Sequence, residues 1–205
     1  MPRQPDPDLE DRIVTAAHAL WKRGGEKALT MRGVARAAGT NTPAMYRRFK
    51  NRRELVQALV LRTVARLQQH FAADQNLEGM AEAYIEDALR VPHEYELFYA
   101  YGHELMPAKT VGRVRQIRES RPNFAFVEKQ LAKRLGGSPQ DHTRLALALW
   151  ATLHGTVELL LAKSIPEEQE PELRAACRAA VKTLIEEAAT FSVKSDGKRS
   201  ARARQ

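Results

Sequence analysis

An all-α fold, with an N-terminal helix-turn-helix unit of three helices and a larger helical region behind it, about nine to ten helices in all, is predicted by three observations. Apolar residues recur at three- and four-residue spacing in one segment after another. No segment shows the β-branched alternation of a strand. The periodic segments stop at proline or glycine: Gly24-Gly25, Gly39, Pro92, Pro107, Gly136-Gly137 and Pro166.

The elements follow in order. Asp6 and Pro7 suit a helix start, and Leu9, Ile13, Ala16, Ala17, Leu20 and Trp21 then form a stripe that ends at Gly24-Gly25. Thr30 is placed to cap a second helix near 31–38, because its hydroxyl accepts one of the N–H groups that a helix start leaves unpaired. Met31, Val34 and Ala35 point inward at helical spacing, and Gly39 suits a left-handed turn residue. Thr40 or Asn41 caps a third helix near 42–48, with Pro43 in its first turn. A fourth helix runs from about Arg52 to Ala73 with Leu55, Leu59 and Val64 inward, and links the two regions.

Beyond it the spacing predicts helices over 77–91, 92–106, 122–135, 141–164 and 172–191, with 110–120 a polar, basic helix or linker. Residues 193–205 carry no apolar pattern and are expected to be disordered. The expected organisation is a helix-turn-helix unit over 1–55, a helical unit over 56–192 and a basic tail.

The 205 residues, 43% of them hydrophobic, suffice for a packed interior. The single Cys177 excludes an intramolecular disulfide and fits a cytoplasmic chain. No apolar run near a membrane-spanning length and no signal-peptide core are read, so no membrane is expected. The net charge of +8 is unevenly placed. Residues 1–62 hold 13 Lys and Arg against 6 Asp and Glu, residues 63–192 hold 15 against 18, and the tail holds 5 against 1. A cationic first third around an acidic middle indicates a localised polyanion-binding surface.

The third helix supports that reading. Thr42, Tyr46, Arg47 and Arg48 surround the inward Met45 and Phe49, and Lys50, Arg52 and Arg53 follow. Cations and hydroxyls at this density suit phosphate oxygens and base edges. A solvated basic face is the plainer reading of the charges alone. Two short capped helices joined by a glycine turn are the layout of a helix-turn-helix, whose second helix enters the major groove.

These residues resemble the N-terminal domain of TetR-family transcriptional regulators. The resemblance runs from about Ile13 to Leu59 through IVTAAHALWKRGG, Thr30, VARAAG, Met45-Tyr46, Phe49 and Glu54-Leu55. Many members have Val-Ser at Thr40-Asn41, Gly at Pro43, His at Arg48 and Lys at Arg52. The resemblance implies that Tyr46 and Lys50 lie on the phosphate backbone, with Thr42, Pro43 and Arg47 near base edges and Pro43 and Ala44 against a thymine methyl. Thr30, Arg32, Thr40, Asn41 and Arg52 complete the expected DNA-contact set. A looser resemblance lies in LWATLHGTVELLL, where Trp150, His154 and Gly155 are similar to the Trp-His-Gly signature of one class of TetR C-terminal domains. Residues 92–98, PHEYELF, resemble the helix start that precedes it in that class.

Trp150, His154 and Glu158 share a helix face. With Tyr84, Tyr95, Phe98, Tyr99, Met106, Phe124 and Val127 they are the expected lining of a cavity for a small apolar effector. The plainer reading is an aromatic core. Over 141–191 two long helices have more apolar surface than one chain covers, which predicts a two-fold homodimer. Ala148, Thr152, Gly155 and Leu159 on one helix, and Leu173, Cys177, Val181 and Leu184 on the other, are its expected contacts.

No catalytic constellation, phosphate loop or dinucleotide fingerprint is found, and no cofactor or metal is expected. The resulting expectation is a cytoplasmic dimer on a near-palindromic operator in double-stranded DNA, most simply a repressor, released by effector through a shift of the fourth helix. An architectural nucleic-acid binder without effector is the alternative.

Overall fold

The computed structural model describes residues 7–73, 76–102 and 117–191, which form ten α-helices and three 3₁₀ turns. No strand occurs among them. The expected disordered tail, the Asp6 cap and most of the 110–120 segment lie outside the described residues.

Helix α1, Leu9–Ala28, begins at Asp8 and buries Ile13, Val14, Ala17 and Trp21 on one face. The stop expected at Gly24-Gly25 is a kink: Gly25 has φ 57°, and a final turn carries on to Ala28. That left-handed φ favours glycine, and a Cβ at Gly25 would also meet the His93 ring at 3.3 Å.

Helices α2, Met31–Ala37, and α3, Thr42–Arg48, are seven residues each. Isolated helices of this length are unstable, so their caps and core matter. The Thr30 hydroxyl accepts the Gly33 N–H at 3.1 Å, and Asn41 Oδ1 accepts the Ala44 N–H at 2.8 Å. Gly39, at φ 65°, makes the turn between them. Val34, Met45 and Phe49 point into a core shared with Ile13, Leu29, Leu55 and Leu59. Each such side chain contributes about 1.5–3 kcal/mol by burial.

Helix α4, Arg52–Ala73, opens with Asn51 Oδ1 accepting the Glu54 N–H at 3.0 Å, while Glu54 Oε2 accepts the Lys50 N–H at 2.8 Å. The N-terminal core continues along α4 through Val60 and Val64, past the expected boundary at residue 55. It also takes in Leu97, which belongs to the second region by sequence.

The second region comprises α5, Leu77–Arg90; α6, Pro92–Tyr101; α7, Ile117–Ser120; α8, Pro122–Leu135; α9, Thr143–Leu161; and α10, Glu170–Glu186. Its core is built from Ile85, Leu131, Leu145, Leu149, Val157 and Val181, with Phe71 from α4. Gly136 and Gly137, both at positive φ, stop α8 as expected. The expected helix over 141–164 is a 3₁₀ turn, Pro139–His142, followed by α9. The expected 172–191 helix starts at Glu170 and gives way to a 3₁₀ turn at Ala188–Phe191.

One expectation about composition is corrected. The segment Pro139–Leu161 is long and apolar enough, by those measures alone, to cross a membrane. Leu145, Ala146, Leu149, Val157 and Leu160 bury one side of it in the core. Leu147 and Leu159 are exposed on the other.

Candidate nucleic-acid interface and ligand cavity

The caps and the glycine turn set the pose of α3. With Ala44, Met45 and Phe49 buried, Pro43, Tyr46, Arg47, Arg48 and Lys50 stand on the open side. Tyr46 is 47% exposed, unusual for its size, and it is on the same side as the three cations. Arg32 and Thr30 are exposed on α2 beside it, and Thr40 and Thr42 are half-buried at the turn. The cluster is compact, cationic and mounted on a rigid core.

One expected contact is corrected, and another is already engaged within the chain. Ala44 is 6% exposed, because the cap that orients α3 turns it into the three-helix core, where it cannot reach a thymine methyl. The Arg52 guanidinium is engaged at the surface within the chain, by Glu26 at 2.9 Å and by the Leu29 carbonyl at 3.4 Å. Burial works against the Arg52 cation, but Tyr101 and Glu26 more than compensate and its pKa is raised. Thr30 and Asn41 also have fixed duties as caps.

The expected cavity is present, with a volume of about 100 Å³. Seven of the ten expected residues line it: Tyr84, Tyr95, Phe98, Tyr99, Phe124, Val127 and Trp150. Met106 lies outside the described residues. His154 sits behind the wall, stacked on Tyr99 at 4.2 Å between centroids and hydrogen-bonded through Nδ1 to the Tyr95 hydroxyl. Burial holds the His154 pKa below the ordinary histidine value, with the Arg121 charge adding to that and Glu158 opposing it. Glu158 is corrected. It is 55% exposed and 4.0 Å from His154, on the solvent side of α9, so it does not line the cavity.

The wall is self-satisfied where it is aromatic. Trp150 Nε1 donates to the Tyr99 hydroxyl at 2.6 Å, and the Tyr84 and Tyr99 hydroxyls bond to each other. Burial raises the pKa of Tyr84, Tyr95 and Tyr99, so all three keep their protons.

Sequence reasoning missed the polar lining. Arg66, Asp87 and Glu94 line the cavity as well. Arg66 donates to both Asp87 oxygens at 2.6 and 2.8 Å, and through Nε to Glu94 Oε2 at 2.9 Å. Asp87 and Glu94 lose by burial, but their cation partners (Arg66 and Arg90 for the one, His18 and Arg66 for the other) hold both carboxyls below the ordinary range. Arg121, Asn123 and Thr63 also line the cavity. The signal for Arg66 was weak: Arg62, Thr63, Gln69 and His70 stand at helical spacing from it, so it reads as one more polar residue of α4. Nothing in the sequence distinguished Arg121 from a surface arginine.

Helix α6 joins the cavity to the DNA-reading unit. Leu97, on α6, is fully buried in the N-terminal core, while Tyr95 and Tyr99 face the cavity. Trp21 Nε1 of α1 donates to the His93 carbonyl at 2.5 Å, and the Trp21 ring meets Tyr101 edge-on at 6.0 Å. Glu94, 1% exposed, reaches His18 of α1 at 3.1 Å as well as Arg66 of α4.

On the expected dimer face, Leu159 (41% exposed) and Gly155 are exposed and Ala148 and Thr152 are half-buried, all on α9. Leu173 and Leu184 on α10 are half-buried. Cys177 and Val181 are corrected: at 4% and 2% exposure they belong to the chain's own core. The stripe on α10 is wider than one interface, and its 177-181-185 row faces inward. The outward row of small residues, Ala175, Ala176 and Ala179, is the exposed one. Among the described residues no three His, Cys, Asp or Glu side chains cluster for a metal.

The family model described as bacterial regulatory proteins, tetR family, matches residues 13–59, and that described as tetracyclin repressor-like, C-terminal domain, matches residues 77–184. No curated protein matches. Among solved structures the chain is similar to a TetR-family member from Streptomyces coelicolor A3, at 24% identity and TM-score 0.59, covering 87% of this chain and 98% of that one. It is similar to the multidrug binding protein EbrR complexed with ethidium, at 23% identity and TM-score 0.61, covering 88% and 99%. It is also similar to TetR-Q116A from Acinetobacter baumannii AYE in complex with minocycline, at 19% identity and TM-score 0.59, covering 93% and 100%.

Proposed function

The chain belongs to the TetR family of bacterial regulatory proteins, and from that premise we propose a cytoplasmic, dimeric repressor that leaves its operator when a small molecule fills the cavity. As a member it is a DNA-binding transcriptional regulator, in a family of non-enzymatic transcription factors. The observation that carries the effector reading is the double membership of α6. Leu97 is in the core of the reading unit, and its neighbours Tyr95, Phe98 and Tyr99 line the cavity. A ligand that displaces α6 or α4 moves both.

Arg32, Thr42, Pro43, Tyr46, Arg47 and Lys50 are the proposed DNA contacts, with Tyr46 and Lys50 on phosphates and Arg47 at a base edge. Related proteins have been solved with ethidium and with minocycline, which supports a ligand here. A cavity of about 100 Å³ has room for only a few waters or one small ring, so anything larger must push the wall outward. That fits a two-state device: the ligand prefers the expanded form, and DNA the contracted one. An architectural binder without effector would need no such cavity.

The dimer is proposed through Leu147, Ala151, Gly155 and Leu159 of α9 with the alanine row of α10. The exposed side of α9 is apolar enough that water is a poor neighbour for it. Gly155 gives the test. A Cβ there meets nothing within 4 Å inside the chain, so Gly155→Leu leaves the monomer's packing alone and clashes only with a partner. Sedimentation should show a dimer for the native protein and a shift toward monomer for G155L. Operator release is tested by fluorescence anisotropy on a duplex that the protein itself selects from a random pool. A dimer whose affinity for that duplex no compound changes would refute the effector reading.

A further inference from the structure

The two arginines that line the cavity differ in charge balance. Arg66 is matched by Asp87 and Glu94. Arg121 lines the cavity with no carboxylate against it among the described residues. Its guanidinium lies over the Phe98 ring at 4.9 Å, and over Tyr99 and Trp150 at 5.8 and 5.9 Å. Among the described residues its hydrogen bond is to the Phe98 carbonyl, at 3.2 Å. Burial lowers its pKa, the response of a cation that lacks a partner.

Two residues along, Asn123 lines the same cavity and is 9% exposed, and neither its amide oxygen nor its amide nitrogen has a hydrogen-bond partner among the described residues. Buried amides are almost always paired, so this one wants an explanation. Both residues sit at the start of α8, a 14-residue helix with no capping side chain and no acidic residue in its first turn. The backbone N–H groups of that turn have no partner inside the helix, and the helix dipole favours negative charge there. A cation, an unpaired amide and an uncapped helix start thus lie within three residues of one another on a pocket whose lining also includes Phe98, Tyr99, Phe124 and Trp150.

We propose that the effector is an aromatic carboxylate, its ring among Phe124, Trp150 and Tyr99 and its carboxylate held by Arg121 and the Asn123 amide at the start of α8. The proposal rests on the effector reading above and narrows it, since a purely apolar ligand would leave Arg121 and Asn123 unpaired. It also accounts for the empty helix cap: an acidic residue in the first turn of α8 would take the place of the ligand.

The test uses full-length protein and a matched panel: benzoate, phenylacetate and cinnamate, each beside its primary amide, which has nearly the same shape and no charge. Affinities are measured by calorimetry on the native protein and on two variants. R121M keeps a long side chain over the rings and removes the charge. N123D supplies a carboxylate from the chain itself at a helix start, where one is tolerated. For the native protein, the best carboxylate should bind at least tenfold more tightly than its amide. R121M should reduce that ratio to within about threefold, chiefly by weakening the carboxylate. N123D should raise the unfolding temperature of the ligand-free protein and abolish carboxylate binding.

Equal affinity for carboxylates and amides in the native protein would overturn the proposal and leave the effector reading standing. So would a carboxylate preference that survives both substitutions. If no member of either series binds at millimolar concentration, the aromatic-carboxylate assignment falls, and the effector reading is decided by the operator-release measurement alone.

Discussion

Arg66 and Arg121 line the same cavity and have opposite surroundings. Arg66 bridges α4 to α5 and α6 through two buried carboxylates, and Glu94 extends the cluster to His18 of α1. Arg121 rests on three aromatic faces and one carbonyl. The difference shows which charges hold the domains together and which await a partner from outside. A residue's role in a pocket follows from whether its charge is already balanced, not from its position in the wall.

The comparison breaks most sharply with one substitution made at both sites. Arg66→Met leaves Asp87 and Glu94, at 7% and 1% exposure, without their main cation. Removing one partner of a buried pair costs about 3–5 kcal/mol. Urea unfolding followed by circular dichroism should report a loss of that size. Because α4 and α6 are both tied to Arg66, operator affinity should fall as well. A loss below about 1 kcal/mol would mean that Arg90, His18 and Lys22 satisfy the two carboxylates unaided.

A pH titration sharpens the same contrast with a smaller effect. Asp87 and Glu94 have folded pKa values below their unfolded ones, so the stability they confer is fully present above the ordinary carboxylate range, about 4. It is lost as pH falls through their folded values. His154, also depressed, acts in the same direction in a higher window: it favours the folded state above about 6.5 and loses that contribution as pH falls below it. Stability should therefore fall in two steps on acidification, a slight one below about pH 6.5 and a larger one below about pH 4. R66M should flatten the lower step and R121M should not. A lower step unchanged in R66M would detach those carboxylates from Arg66.

The DNA-reading unit was nearly all legible in the sequence, and the cavity only in part. Thr30, Gly39, Asn41 and Pro43 act on neighbours within four residues, so their chemistry declares itself locally. What was not legible there, the burial of Ala44 and the pairing of Arg52, depends on tertiary contacts: the direction α3 faces, and a glutamate 26 residues away. The aromatic lining was legible because it lies on a few faces of regular helices. Arg66, Asp87, Glu94, Arg121 and Asn123 were not, because what matters is whether each is paired. Those pairs join residues up to 76 positions apart, as His18 and Glu94 are. Cys177 and Val181 failed for a related reason: periodicity shows that a stripe is apolar but not whether the neighbour is the same chain or its copy.

At the reading head, effects of about 1–3 kcal/mol are expected for base discrimination by Arg47. Arg47→Ala should weaken the selected operator and narrow the gap between it and point-substituted duplexes. Tyr46→Ala and Lys50→Ala should weaken all duplexes alike, and Lys50→Ala should also reduce the steepness of the salt dependence. Anisotropy titrations over a set of single-base variants at several salt concentrations separate these outcomes. An identical loss on every duplex for Arg47→Ala would move that residue to the backbone. Arg52→Ala sharpens the contrast further: its guanidinium is held by Glu26 and Leu29, so its effect should appear in stability before it appears in sequence preference.

The smallest effect is expected where the comparison began. Arg121→Met removes a cation whose burial is opposed by ring contacts worth roughly 0.5–2 kcal/mol in total at a partly desolvated site. Against that stands the cost of half-burying a cation with no carboxylate partner among the described residues, which is of the same order. The methionine side chain keeps much of the contact with Phe98, Tyr99 and Trp150, since a thioether packs well on aromatic rings. The two terms nearly cancel, so the ligand-free protein should change by less than about 1 kcal/mol, in either direction, where R66M loses several. Paired urea unfolding curves of R66M and R121M make the measurement, with equal slopes required so that the midpoints are comparable. A loss of about 2 kcal/mol or more in R121M would show that its stacking and its bond to the Phe98 carbonyl hold the cavity wall in place, and the two arginines would then differ in degree only.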